Sequence, residues 1–76
     1  MKVKASYSVA RITDSVVFIV DDNIGMSITN DAEAVVSQVA RNFPGRRIIY
    51  RDTTGQWDEL LHTNGIFSGF GPGFEP

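Results

Sequence analysis

Along the first ten residues polar and apolar side chains alternate. Lys2, Lys4, Ser6 and Ser8 interleave with Val3, Ala5, Tyr7 and Val9, which is the period of a strand with one solvated face. A β-branched run from Val16 to Val20 follows, apolar on both sides, and predicts a strand nearer the centre of a sheet. Residues 11–14 between them suit a short connection, so the first two strands should form a hairpin. Beyond a loop over residues 21–30 the period changes. Ala32, Val35, Val36, Val39, Ala40 and Phe43 recur at steps of three and four, with Ser37, Gln38, Arg41 and Asn42 opposite. This is the stripe of one amphipathic helix. Asn30 with Glu33 makes a capping-box pattern at its start, and Asp31 and Glu33 put negative charge where the helix dipole favours it. Pro44 and Gly45 stop it.

Three short strands are predicted from the rest, over residues 46–52, 56–62 and 66–70. They are separated by Thr54-Gly55 and by Asn64-Gly65, the stronger signal because both of its residues tolerate positive φ. Connections this short join antiparallel neighbours. The predicted order is β-β-α-β-β-β: an α+β domain over residues 1–70, with one helix on an antiparallel sheet of about five strands. Residues 71–76, rich in Gly and Pro, read as an extended C-terminal tail.

The stretch Val16 to Asn23, "VVFIVDDN", resembles the opening of a response-regulator receiver domain, in which acids at a strand end hold magnesium beside a phosphorylated aspartate. That resemblance would imply a metal at Asp21 and Asp22, a second strand ending in the phosphoacceptor, and a later lysine. Asp52 is the one later aspartate placed after an apolar strand, and no lysine follows Lys4. The chain is also too short for the crossovers of a doubly wound sheet. Asp21 and Asp22 therefore read as an acidic turn, where aspartates bond nearby amides.

Composition narrows the classes further. With 76 residues, 42% hydrophobic and 21% charged, the chain suits one globular domain. A domain of this size buries only about 60% of its unfolded surface, so stability is marginal without reinforcement. The absence of cysteine removes disulfides, and a single histidine argues against structural zinc. Self-association is the remaining common remedy. A net charge of −2 favours neither a nucleic-acid binder driven by bulk charge nor a strongly acidic mimic of DNA. Polar residues interrupt the N-terminal segment, which excludes a signal peptide, and the apolar run 16–20 is too short to span a bilayer. The expectation is a cytoplasmic protein of bacterial or phage accessory type, without membrane contact.

No cofactor is expected. Oxygen ligands for calcium or magnesium exist at Asp21, Asp22, Asn23, Asp31 and Glu33, but without the spacing of a calcium loop; turn and cap roles account for all five. His62 is the sole imidazole, and Asp58, on the same strand face, lies roughly 13 Å along the chain from it. This separation forbids a direct catalytic pair. No catalytic residue is assigned. Arg41, Arg46, Arg47 and Arg51 form a basic cluster with Tyr50 nearby, a composition that holds single-stranded nucleic acid in other settings; pairing with Asp58 and Glu59 on the next strand is the plainer reading.

The aromatic residues carry the main expectation. One helix covers one face of a five-stranded sheet, so apolar area should remain for a partner unless long side chains and the tail fold back over it. Tyr50, Trp57, Phe67, Phe70 and Phe74 are the candidate partner surface. The expected role is non-enzymatic binding, most economically as a homodimer pairing face to face or edge to edge. A nucleic-acid module using the four arginines is the first alternative. A small metal-dependent enzyme using Asp21 and Asp22 is the second.

Overall fold

The computed structural model describes residues 7–21 and 28–76. Its elements run β1 (Tyr7–Ile12), β2 (Val16–Asp21), a 3-10 turn (Ile28–Asn30), α1 (Ala32–Asn42), β3 (Arg47–Arg51), β4 (Trp57–Thr63) and β5 (Ile66–Pro72). The strands form one five-stranded sheet in sequence order, with the helix between β2 and β3. The α+β class and the β-β-α-β-β-β order are those read from the sequence.

One pair differs from an all-antiparallel sheet. β3 lies parallel to β2, in the register Val16↔Arg47 through Val20↔Arg51. A connection through a helix is long enough to carry the chain back to the starting edge, which a tight turn cannot do. The other three pairs are antiparallel. β2 sits between β1 and β3 and buries residues 16–19, on both of its sides, as its apolar run requires.

Local boundaries also shift. β1 continues to Ile12 instead of ending at Ala10, and the turn is held by Thr13. The Thr13 hydroxyl accepts from the Val16 amide at 2.9 Å, while the Thr13 amide donates to the Val16 carbonyl at 2.8 Å. The alternation over residues 2–9 is described only from Tyr7 onward; residues 1–6 lie outside the described chain. The N-cap of α1 is Asp31, with no side-chain cap bond. Asn30 closes the preceding 3-10 turn instead, so the Asn30–Glu33 capping box does not form. The C-terminal stop is as expected: Phe43 donates to Val39 at 2.9 Å, and Gly45 takes a φ of 74°.

The Asn64-Gly65 turn joins β4 to β5 with φ values of 51° and 86°. Both central residues are left-handed, as the two-residue hairpin that follows strand twist demands. At the Thr54-Gly55 turn the side chain of Asp52 does the closing. Its Oδ1 accepts from the Thr54 amide at 2.9 Å, the Thr54 hydroxyl at 2.6 Å and the Gln56 amide at 3.0 Å.

The two faces of the sheet are filled differently. The buried stripe of α1 (Ala32, Val35, Val36, Val39) packs with Val17, Ile19, Ile28, Ile48, Tyr50 and Leu60. On the opposite face a smaller cluster joins Val16, Phe18 and Ile49, with Trp57 against it. Both edge strands carry a bulge, at Ala10 in β1 and at Ser68 in β5.

Candidate functional surface

The five aromatic residues expected on one partner surface lie on two. Tyr50, Phe67 and Phe70 gather on the helix side, at the β5 edge. Phe70 is 6.4 Å from Tyr50 and 5.0 Å from Phe67 between ring centroids. Tyr50 is buried at 3% exposure and belongs to the core, whereas Phe70 stands half exposed at 50%. Trp57 and Phe74 lie on the other face, each edge-on to Phe18 at 5.9 and 5.6 Å. The chain thus turns back after β5 and lays Phe74 over the sheet. This supplies part of the roof that the helix cannot provide, so the opposite face is not left bare as the sequence suggested.

Gly73 permits that return. A Cβ there would stand 2.7 Å from backbone atoms of Asp58, closer than any side chain can be, so the segment crosses β4 only because this position is glycine.

The four arginines do not converge. Arg41 is exposed in the last turn of α1, where its charge complements the helix C-terminus. Arg46 donates through Nε to the Thr13 carbonyl at 2.7 Å, tying the helix exit to the β1–β2 turn. Arg47 and Arg51 share the face opposite the helix. Arg47 grips Glu59 in a two-pronged pair, Nη2 to Oε1 at 2.6 Å and Nε to Oε2 at 3.0 Å, and also lies 5.2 Å over the Phe74 ring. Bonding to the Glu59 carboxylate raises the Arg47 pKa above its ordinary value. Arg51 sits 5.9 Å over Trp57. The strand-to-strand pairing read from sequence is therefore present at Glu59, which is 8% exposed and so depends on its arginine.

The ionisable candidates are engaged in holding the fold. Asp21 is 9% exposed, and its Oδ2 accepts from the amide of Ile28 at 3.2 Å. It thereby anchors the far end of the β2–α1 connection and helps to seat the buried Ile28, a residue that no sequence periodicity marked. Asp22 and Asn23 lie outside the described residues. Asp52, the position a receiver would phosphorylate, is held by its turn, and the Thr54 hydroxyl foremost lowers its pKa. Among the described residues no three histidine or acid side chains come together around a space for a metal ion.

His62 closes the β4–β5 hairpin. The Gly65 amide donates to Nδ1 at 3.0 Å, so Nε2 carries the ring proton and donates to the Arg46 carbonyl at 3.0 Å. A surface hollow of about 580 Å³ opens beside it, walled by Arg46, Arg47, Glu59 and His62. Each of those polar side chains already has the partner named above. Burial first, and then the charge of Asp58, which also accepts its hydroxyl proton, push the Tyr50 phenol up to about 12; burial raises Tyr7 as well.

No helix among the described residues is long and apolar enough to cross a membrane. Compared with family models, with curated proteins and with solved structures, the chain matches none.

Proposed function

We propose that the chain is a non-enzymatic binding protein of the cytoplasm that acts as a homodimer, pairing through the open edge of β5. The half-exposed Phe70 carries this reading. It extends an aromatic row from the buried Tyr50 to the last strand of the sheet, which among the described residues has no strand on its outer side. On the same strand Ile66 is 74% exposed. A two-fold contact between β5 strands would continue the row across the axis and bury Phe70 against its own counterpart. The roles found for His62, Asp21, Asp52 and Glu59 support a binding reading, because each already serves a turn, a loop or an ion pair.

The open half of Phe70 contributes about 1 kcal/mol per copy when covered. Association costs several times that, so ladder hydrogen bonds must supply the balance. The bulge at Ser68 and the proline at position 72 shorten the usable ladder. A weak, concentration-dependent dimer is the expected result. Sedimentation from low to high micromolar concentration tests it: the mass should rise from 8.4 kDa toward twice that value, and Phe70→Lys should hold it at the lower one. A species that stays monomeric throughout removes the proposal.

A further inference from the structure

The face opposite the helix has a second feature. Between the returning segment 73–76 and the β1–β2 hairpin a cleft of about 360 Å³ stays open, floored by Val16 and Phe18 and bordered by Arg11, Arg47, Phe74 and Glu75. Its floor is apolar and buried, while its border carries guanidinium groups. Arg11, at the border of the cleft, is exposed and among the described residues makes no ion pair; Arg51, on the same face, lies outside the cleft and over Trp57. The returning segment shows what chemistry the face accepts. Phe74 meets Phe18 nearly at right angles and lies under the guanidinium of Arg47, with an acid next in the chain. Yet Phe74 remains 43% exposed, so the segment fills only part of the available space.

We infer that this face is a docking groove for an extended peptide segment of a partner protein, one carrying an aromatic side chain followed by a carboxylate, and that residues 73–76 occupy it in cis as a built-in competitor. An extended strand without bulky side chains lies flat across β4, as Gly73 does over Asp58. The aromatic side chain inserts beside Phe18, and the carboxylate meets Arg11, which among the described residues makes no ion pair. The rings of Trp57 and Phe74 stand at 85° and 83° to Phe18. They offer edges and a slot rather than the flat platform on which nucleic-acid bases stack.

A tethered segment competes at an effective concentration on the order of millimolar, and releasing it should reveal the groove. The probe is a free peptide of sequence 70–76, titrated into the full chain and followed by the indole N–H signal of Trp57, the one tryptophan. Two full-length variants release the segment: Gly73→Val, whose side chain cannot cross Asp58, and Phe74→Ala, which leaves the crossing intact but removes the plug. Both should bind the peptide about tenfold or more tightly than the parent chain, and a peptide lacking the aromatic or the acid should lose most of that gain. Arg11→Ala should weaken binding severalfold. Equal peptide affinity for the parent chain and both folded variants overturns the inference, as does equal binding of a peptide without phenylalanine. Preference for an oligothymidylate over the peptide overturns it toward nucleic acid. A dimer of the parent chain dissolved by the peptide, with Phe70→Lys having no effect on it, would put a second copy's segment in the groove and overturn the foreign partner.

Discussion

Both faces of this sheet carry apolar residues, and they are covered by quite different means. Under α1, Val17, Ile19, Ile28, Val36, Val39, Ile48 and Leu60 are fully buried; on the opposite face only Ile49 is. An eleven-residue helix presents a continuous stripe, and its backbone polar groups are satisfied within itself, so it can seal a face without leaving amides exposed to the core. The returning segment has no such internal bonding. It contributes one ring, aided by the aliphatic stems and charged heads of Arg47 and Arg51. The helix side therefore holds the fold together, and the other side is left adjustable. A surface that must open to a ligand is expected among the weakly held parts of a molecule.

The largest break in this comparison is Val36→Asp. It removes a fully buried side chain and places a charge between helix and sheet, at more than about 4 kcal/mol. A domain this small has little more than that in total, so circular dichroism should show no cooperative melt. Next comes Arg47→Ala, on the other face. It leaves the carboxylate of Glu59 buried and unpaired, which costs about 2 kcal/mol, less than a fully enclosed pair because the arginine side chain is 54% exposed. Replacing both partners by apolar residues should recover most of the loss in chemical denaturation. Tyr50 tests the helix side by pH. Its phenol titrates near 12 in the folded state and near 10 when unfolded. Between those values the unfolded chain gives up a proton that the native chain keeps, so stability falls as pH rises through the window. Tyrosinate absorbance should appear late, and Tyr50→Phe should abolish the stability loss in that range apart from the part due to Tyr7.

Much of the helix side was legible because its rule is local. Ala32, Val35, Val36 and Val39 repeat at the helical period and are the residues that α1 buries. Asn64-Gly65 names its own turn for the same reason: two positive φ values in succession suit few other residues. The parallel β2–β3 pair was not legible, since a helical connection allows the next strand to run either way, and alternation within a strand does not encode its direction. Asp21 was legible in kind, as a strand-end acid that bonds a backbone amide, but not in detail: it is buried, and an amide it accepts from is that of Ile28, seven residues on, across a span with no pattern. The roof over Phe18 was legible only as an alternative, a tail folding back, without the residues that make it. Gly71, Pro72 and Gly73 carry no periodicity, and the requirement for glycine at position 73 arises only from the backbone of Asp58 beneath it. The arginines were half legible: Arg47 and Arg51 share a face as strand period requires, but that Arg46 would reach the Thr13 carbonyl is a tertiary fact.

The smallest effect is the most diagnostic for the opposite face. Phe74→Ala removes a ring that is almost half in solvent and whose contacts are one aromatic edge and one guanidinium. At this exposure the two contacts together contribute about 0.5–1 kcal/mol, and the ring's partial burial adds a similar amount. The expected loss is about 1–2 kcal/mol, well below that of Val36→Asp, with the melt still cooperative. Phe18 would lose its cover, and the environment of Trp57 would become wetter, so the emission of the single tryptophan should move to the red without loss of helical signal. If Phe74→Ala instead destabilised the chain as much as the helix-side substitution, the returning segment would be a structural wall rather than a removable cover, and the two faces would be equals.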